Sequence, residues 1–253
     1  MKKPKKEDQD QELAQIILEY HEKFHHILGY RRMNLFINRL NGLKMNVKKT
    51  RRLMRLLGVS SKIRRKRKGY VKSTPQITAE NVLNREFESH QINEKWLTDV
   101  TEFKVIGTRK KVYLSGILDL CGNRIVSYMI SMSNNNKLVF DTFDLAIEAN
   151  PGAKPLLHSD RGFQYTSRIF KKKLDQIGAK QSMSRVSKCI DNGPMEGFWG
   201  TLKSEMFYLN KFHSVDELKR EIKDYIEFYN YRRFQPVLKG LTPIEFGNQA
   251  LNI

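Results

Sequence analysis

From Trp96 onward the helical stripes of the N-terminal third give way to three closely spaced strand-like runs, 96–105, 111–119 and 124–131. Gly107-Thr108 and Cys121-Gly122-Asn123 separate them, and connections this short join antiparallel neighbours. The pattern then alternates. A helix is expected over about 136–149, closed by Asn150-Pro151-Gly152, and a short buried strand at 154–158 follows. Next come a helix over 166–177 ending at Gly178, a strand at 179–183, a loop over 184–192 and a helix opened by Asp191-Asn192-Gly193-Pro194. Hairpin-joined strands followed by strands that alternate with helices predict an α/β fold, a mixed five-stranded sheet flanked by helices.

The order βββ-α-β-α-β-α is that of a ribonuclease-H-like domain, in which acids at strand ends and on a late helix converge. Three carboxylates occupy suitable places. Asp99 lies inside Trp96-Leu97-Thr98-Asp99-Val100-Thr101-Glu102-Phe103, Asp160 ends the apolar run Leu156-Leu157-His158-Ser159-Asp160, and Glu196 lies just inside the late helix. With 27 Asp and Glu in 253 residues, spacing alone is weak evidence, so these contexts must carry the assignment. Gathering acids at one point is costly unless cations neutralise them, and hard oxygen donors without Cys or His partners suit magnesium or manganese. Two such ions on three carboxylates serve in-line attack on a phosphodiester: water as nucleophile gives a nick, and a DNA 3′-hydroxyl gives strand transfer. No covalent nucleophile is required, which fits the lack of a Ser-His-Asp or Cys-His arrangement. Lys203 stands seven residues after Glu196, about 700° of helical rotation, so both project from one face and the lysine is expected to reach a phosphate.

Charge is distributed unevenly. Residues 1–75 hold 21 Lys and Arg against 6 acids, whereas residues 76–253 hold 25 against 21. Such clustering favours a polyanion through phosphate neutralisation and counterion release. The same region reads as helices: a stripe of Leu13, Ile16, Ile17, Tyr20 and Phe24 within 9–27, a second helix from Arg31 to Leu40 with Met33, Leu35, Phe36 and Leu40 inward, and a third capped by Asn46 and running to Leu57. Val47, Leu53, Met54 and Leu57 are the third helix's apolar residues, and Lys48, Lys49, Arg51, Arg52 and Arg55 stand on its other positions. Two short helices joined by a turn, the second strongly basic, predict a helix-turn-helix whose second helix approaches DNA. A generic helical bundle with a basic surface is the plainer alternative. The run Lys62-Ile63-Arg64-Arg65-Lys66-Arg67-Lys68 forms a basic linker expected to track phosphates, chiefly through Arg64 and Arg65. No apolar stretch approaches the ~20 residues that span a bilayer, and the N-terminus lacks a signal core, so a cytoplasmic location without membrane contact is expected. Cys121 and Cys189 are too few for a disulfide framework and are expected to be small packed residues.

Trp96-Leu97-Thr98-Asp99-Val100-Thr101, the run from His158 through Ser167, Ser182-Met183-Ser184-Arg185 and the run from Asp191 through Glu205 resemble bacterial insertion-sequence transposases with a retroviral-integrase-like DDE core. Tyr225-Ile226-Glu227-Phe228-Tyr229-Asn230 with Leu241-Thr242-Pro243 is similar as well, so the resemblance covers nearly everything from about residue 28. It implies that Asp99, Asp160 and Glu196 are the catalytic acids and metal ligands, and that Lys203 is the family's helix lysine. Two departures stand out: Glu196-Gly197-Phe198-Trp199 where the family often has Glu-Ser-Phe-Phe, and Ser187-Lys188 where it has Gly-Asn. Neither removes an acid, although Gly197 lowers local helix propensity by up to ~1 kcal/mol against alanine. In this family the catalytic frame is commonly fused to an upstream frame. The chain resembles the downstream product, and an upstream-frame partner or fusion is expected to help recognise element ends.

The expected organisation is a helix-turn-helix-like region at 1–60, a basic linker at 61–90, a catalytic core at 91–210, and a C-terminal helix and tail at 211–253 packing on that core. Ser214-Val215-Asp216-Glu217 looks like a capping box opening a helix over 215–230. The expected function is a DDE transposase that nicks element ends and joins the freed 3′-hydroxyl to target DNA, working as a homo-oligomer on DNA with two divalent metal ions. A catalytically silent DNA-binding regulator and a ribonuclease-H-like nuclease are the alternatives. Asp119 is the rival metal ligand, although the resemblance makes it a structural acid, and His158 reads as a satisfied core histidine. Asp191 and Asn192 are expected to cap the late helix. Arg161, Gln164, Arg185 and Lys188 are weaker candidates for DNA contact.

Overall fold

The structure, a computed structural model, describes residues 6–62, 80–185 and 189–250. The described chain divides into two compact units. One holds the N-terminal helices with Phe234–Leu241, and the other holds the rest.

In the N-terminal unit, α1 spans Lys6–Lys23, α2 spans Tyr30–Asn41 and α3 spans Val47–Leu56. His25 and His26 adopt left-handed backbone (φ 50° and 62°), which stops α1 short of the expected residue 27. Ile17, Leu28, Met33, Phe36, Ile37, Leu53 and Met54 form its apolar interior. Leu40, expected inward, is exposed, and Leu35 is only half-buried; Val47, one of the apolar residues of α3, is exposed as well. The buried face of α2 runs through Met33, Phe36 and Ile37, and it also buries the amide of Asn34. That amide donates to Met45 O and to Thr50 Oγ1, both at 2.8 Å. Asn38 Oδ1 accepts from Met45 N at 2.8 Å, and Asn46 caps α3 by accepting from Lys48 N at 2.8 Å. Paired buried amides set the turn between α2 and α3 more tightly than apolar contact alone, because an unmade hydrogen bond there would cost about 1–3 kcal/mol.

The second unit is built on β1 (Lys95–Lys104), β2 (Lys111–Asp119), β3 (Arg124–Ser131), β4 (Leu156–Ser159) and β5 (Lys180–Met183). The sheet order is β3-β2-β1-β4-β5, antiparallel across the first three and parallel from β1 to β4 to β5, so the meander and the mixed sheet are as expected. Helices α4 (Asn136–Ala149) and α5 (Arg168–Ile177) cover one face, where Val139, Phe143, Phe170 and Leu174 meet Trp96, Ile117 and Leu157. On the other face α6 (Gly193–Glu205) and α7 (Val215–Tyr231) pack Met195, Phe198, Trp199, Leu202, Leu218 and Ile222 against Leu97, Leu114 and Leu118. Successive strand residues point to opposite faces, so burial on both sides shows in β1 as the adjacent pair Trp96 and Leu97, which enter opposite layers, and in β2 as Ile117 and Leu118. Ser214 caps α7 by accepting from Asp216 N at 3.2 Å.

Two boundaries differ from expectation. Residues 80–90 are not linker in character: Leu83 is fully buried in the core of the second unit, and its N–H donates to Ser182 Oγ at 3.0 Å. The tail does not pack wholly on the core. Phe234–Leu241 groups with the N-terminal helices, where Phe234 lies edge-on to Phe36 at 5.0 Å and Arg39 sits over its ring. Only afterwards does α8 (Pro243–Ala250), a helix the turn-rich composition concealed, rejoin the second unit.

Candidate active site

Asp99 sits at the middle of β1, half-buried and directly across the ladder from Gly116 of β2. Asp160 follows β4, the strand parallel to β1, and Glu196 lies in the first turn of α6. Parallel pairing of β1 with β4 carries the end of β4 toward the middle of β1. Packing of α6 on the face that Asp99 shares with Gly116 brings Glu196 within electrostatic reach. The Asp99 carboxyl is pushed up to about 7, first by burial and then by the charge of Asp160, with Glu196 adding to it. The Val100 N–H and the Trp199 indole oppose that rise. Loss of hydration raises Asp160 as well, against the Gly162 N–H that donates to its Oδ1 at 2.8 Å, and it raises Glu196. Gly162 eases this close approach, since a Cβ there would stand 3.0 Å from both Asp160 Oδ1 and Gln164 Oε1.

The donor set suits a divalent cation: three acids, the central one raised by burial and by the charge of its neighbours, gain most from a hard cation that offsets their repulsion. Among the described residues, no three His, Cys, Asp or Glu side chains converge as they stand on a point that would hold an ion.

The flanking residues sort into cation candidates and structural ties. Lys203 is half-buried with its ammonium 5.3 Å from the Phe103 ring centre. Burial lowers its pKa, and Asp99 and Glu102 work against that lowering. Its electrostatic partners are therefore Asp99 and Glu102 on β1. Arg161 Nε donates to Ser184 O at 2.7 Å, while Gln164 is buried and donates to Asn134 Oδ1, a structural tie in place of the expected DNA contact. Arg185 is engaged too: Nε and Nη2 each reach Asp191 at 3.0 Å, and its N–H donates at 2.9 Å. Arg85 Nε at 2.7 Å and Asn81 Nδ2 at 3.0 Å complete the set. Asp191 is thus a buried anion holding the loop before α6, not the helix cap expected, and Arg185 keeps its carboxyl far below the usual range. Asn192, the residue at the cap position, makes no side-chain cap bond and donates to Thr98 O at 3.3 Å instead.

Asp119 stands apart from the triplet. It is fully buried, accepts from Asn93 N at 2.8 Å and Cys121 N at 2.9 Å, and is pushed up to about 6 by burial. His158 is the satisfied core histidine expected: its ring nitrogens meet Ser182 Oγ at 2.8 Å and Ser184 Oγ at 3.1 Å, and burial lowers it to about 4. Trp199 was missed as a site residue. Its indole Nε1 donates to Asp99 Oδ2 at 3.1 Å, a contact across 100 residues that no local pattern signals.

On α3, Lys48, Arg51 and Arg55 are exposed, with Arg51 5.4 Å from the Tyr30 ring centre. Lys49 and Arg52 both pair with Asp10 of α1, the lysine at 2.7 Å, so part of their charge is already neutralised. Arg64, Arg65 and Lys188 lie outside the described residues.

Comparison with known proteins agrees with this architecture. Residues 7–67 match the model of an HTH-like domain, and residues 89–189 and 196–251 match two models described as integrase core domain. A putative transposase, InsK, of insertion sequence element IS150 from Escherichia coli K12 is 46% identical over 223 residues, which cover 88% of this chain and 78% of that protein. An uncharacterized transposase-like protein of Haemophilus influenzae is 41% identical over 211 residues, covering 83% of this chain and 96% of its own length. In fold, the chain is similar to a chain of the simian T-cell lymphotropic virus intasome, with a TM-score of 0.53 at 15% identity over 91% of this chain and 74% of that one.

Proposed function

The chain belongs to the insertion-sequence transposases with an integrase core, and from that premise we propose that Asp99, Asp160 and Glu196 are its catalytic acids, acting in DNA strand cleavage and strand transfer. As a member of that family it is a polynucleotidyl transferase. The observation that carries the residue assignment is the placement of the three acids at one part of the sheet: Asp99 mid-β1, Asp160 just past the adjacent parallel β4, and Glu196 in the first turn of α6, whose Trp199 bonds Asp99.

Asp99, Asp160 and Glu196 are the residues that would hold two divalent ions, magnesium or manganese. Bound there, such ions supply activation of the attacking oxygen and stabilisation of the leaving one. The protein's own part is to bind and orient DNA. Lys203, its ammonium within electrostatic reach of Asp99 and Glu102, is suited to hold a phosphate near the acids. In cleavage, water attacks the phosphorus at the element end, the bond to the element's terminal O3′ breaks, and a 3′-hydroxyl is left on the element. In transfer, that hydroxyl attacks a target phosphorus, a new phosphodiester forms, and a target 3′-hydroxyl leaves. Neither step needs a covalent protein intermediate. The test is incubation of a labelled duplex carrying the terminal sequences that flank the gene with purified protein and magnesium, manganese or chelator. Metal-dependent nicking at the element end supports the reading, and nicking that persists in chelator refutes it.

The helix-turn-helix-like unit is proposed to bind the element ends through Lys48, Arg51 and Arg55, with Lys49 and Arg52 contributing less because Asp10 holds them. Arg64, Arg65 and Arg161 are proposed as further phosphate contacts, with Arg185 contributing less because Asp191 holds it. Lys48→Ala and Arg55→Ala should each weaken binding and reduce the slope of log affinity against log salt by about 1. Anisotropy titration of labelled duplex over a salt series reads this. An unchanged slope would remove that residue from the interface. A homo-oligomer on paired element ends is proposed as the working assembly. Nothing supports the expected upstream-frame partner, and the chain's own HTH-like unit supplies a DNA-recognition module without it.

A further inference from the structure

We propose that Trp199 is the positioning residue for Asp99: its indole N–H fixes one carboxylate oxygen of the acid that would ligate metal, from a seat that Gly116 leaves open in the neighbouring strand. The proposal rests on the reading of Asp99 as a metal-binding catalytic acid.

Three observations meet at this point. Trp199 Nε1 donates to Asp99 Oδ2 at 3.1 Å, although Trp199 is only 6% exposed and lies on α6 while Asp99 lies on β1. Gly116 is the residue paired with Asp99 across the β1–β2 ladder, so the two share one face of the sheet. A Cβ at Gly116 would stand 3.1 Å from Trp199 Cη2 and 3.2 Å from Met195 Cε. The missing side chain beside Asp99 is therefore the space that the indole fills.

The chemistry of the pair is specific. Indole N–H is a donor only, and it is neutral, so it can fix one carboxylate oxygen without adding a cation that would compete with a metal. Buried tryptophan N–H groups need a partner, and here that partner is the central acid of the site. A tryptophan present only for packing would be replaceable by phenylalanine at little functional cost. A tryptophan that orients a ligand would not, because groups that orient metal ligands typically change affinity or activity by about 10–100-fold.

The experiment compares the full-length wild-type chain with Trp199→Phe, and with a form carrying benzothienylalanine at position 199, which keeps the ring shape and replaces N–H with sulfur. Manganese binding is measured by calorimetry without DNA, and kcat and KM are measured on the labelled terminal duplex. Both variants should bind manganese about tenfold more weakly and lose kcat in similar proportion, with KM for DNA unchanged. Gly116→Ala should act in the same direction by displacing the indole, and Gly116→Ala combined with Trp199→Phe should be no worse than Trp199→Phe alone. Wild-type manganese affinity and kcat in the benzothienylalanine form would overturn the proposal, as would a change confined to KM. Asp99→Asn is run beside them. If it keeps wild-type manganese affinity and turnover, the catalytic assignment falls and the positioning role falls with it. If it loses both while the position 199 variants do not, the positioning role alone falls.

Discussion

Asp99→Asn, Asp160→Asn and Glu196→Gln are each expected to lower strand cleavage by more than about 100-fold, since removal of groups that merely orient metal ligands already costs 10–100-fold. Affinity for duplex DNA should be retained or improve, because each change removes a negative charge that opposes phosphate. The three substitutions conserve volume, and the three acids reach the site from β1, the loop after β4 and α6, so no single structural fault accounts for a shared loss. Asp119→Asn is the control. That acid is buried and satisfied by Asn93 and Cys121 backbone N–H groups, so its substitution should affect stability and spare turnover in the folded fraction. Rates on labelled duplex at saturating manganese, compared with binding by anisotropy, separate these cases. Substantial cleavage by Asp160→Asn would remove that acid from the site.

Asp99→Asn should also stabilise the metal-free protein while it inactivates it. The Asp99 carboxyl is raised from 3.8 in the unfolded chain to about 7 in the folded one. The folded state therefore binds more protons between these values, and its stability falls as pH rises from about 4 to about 7. Asparagine escapes this loss and can still accept from the Trp199 indole. At pH 8 the variant should be more stable than wild type by on the order of 3 kcal/mol, allowing for partial hydration of the carboxylate, with the difference shrinking toward zero near pH 4. Asp119 remains in both proteins and cancels in the difference, whereas the repulsion of Asp160 and Glu196 toward Asp99, already counted in the Asp99 shift, is relieved in the variant. Asp191 is shifted oppositely, and its contribution stays constant across this window because it is lost only in stronger acid. Manganese should reverse the order by stabilising wild type and leaving Asp99→Asn unaffected. Denaturant unfolding in chelator and in manganese at several pH values reads both effects. A pH-independent difference would show that the carboxylate is not destabilised in the fold.

Much of this architecture is legible in the chain because it depends on local periodicity. Strand runs at 96–105, 111–119 and 124–131 announce the meander, and Ser214 with Asp216 announces the start of α7. The contexts of Asp99, Asp160 and Glu196 likewise come from the elements that carry them. What escapes is contact between distant segments. Asp191 has the composition of a cap, but Arg85, 106 residues earlier, makes it a buried anchor. Trp199 has the apolar character of a core residue, and only the fold shows its N–H on Asp99. Phe234 follows a helix of the second unit in sequence yet packs on Phe36 of the first. Asn34 interrupts an apolar face, and its burial is repaid by Met45 and Thr50 on the far side of a turn.

The most direct measurement follows the joining step. Terminal duplexes ending in a 3′-hydroxyl or a 3′-deoxy nucleotide are incubated with wild-type or Asp160→Asn protein, a supercoiled target and manganese. Joined product should form only with the wild-type protein and the 3′-hydroxyl end, and it should disappear in chelator. Equal joining by Asp160→Asn, or by the 3′-deoxy end, would contradict strand transfer by these acids.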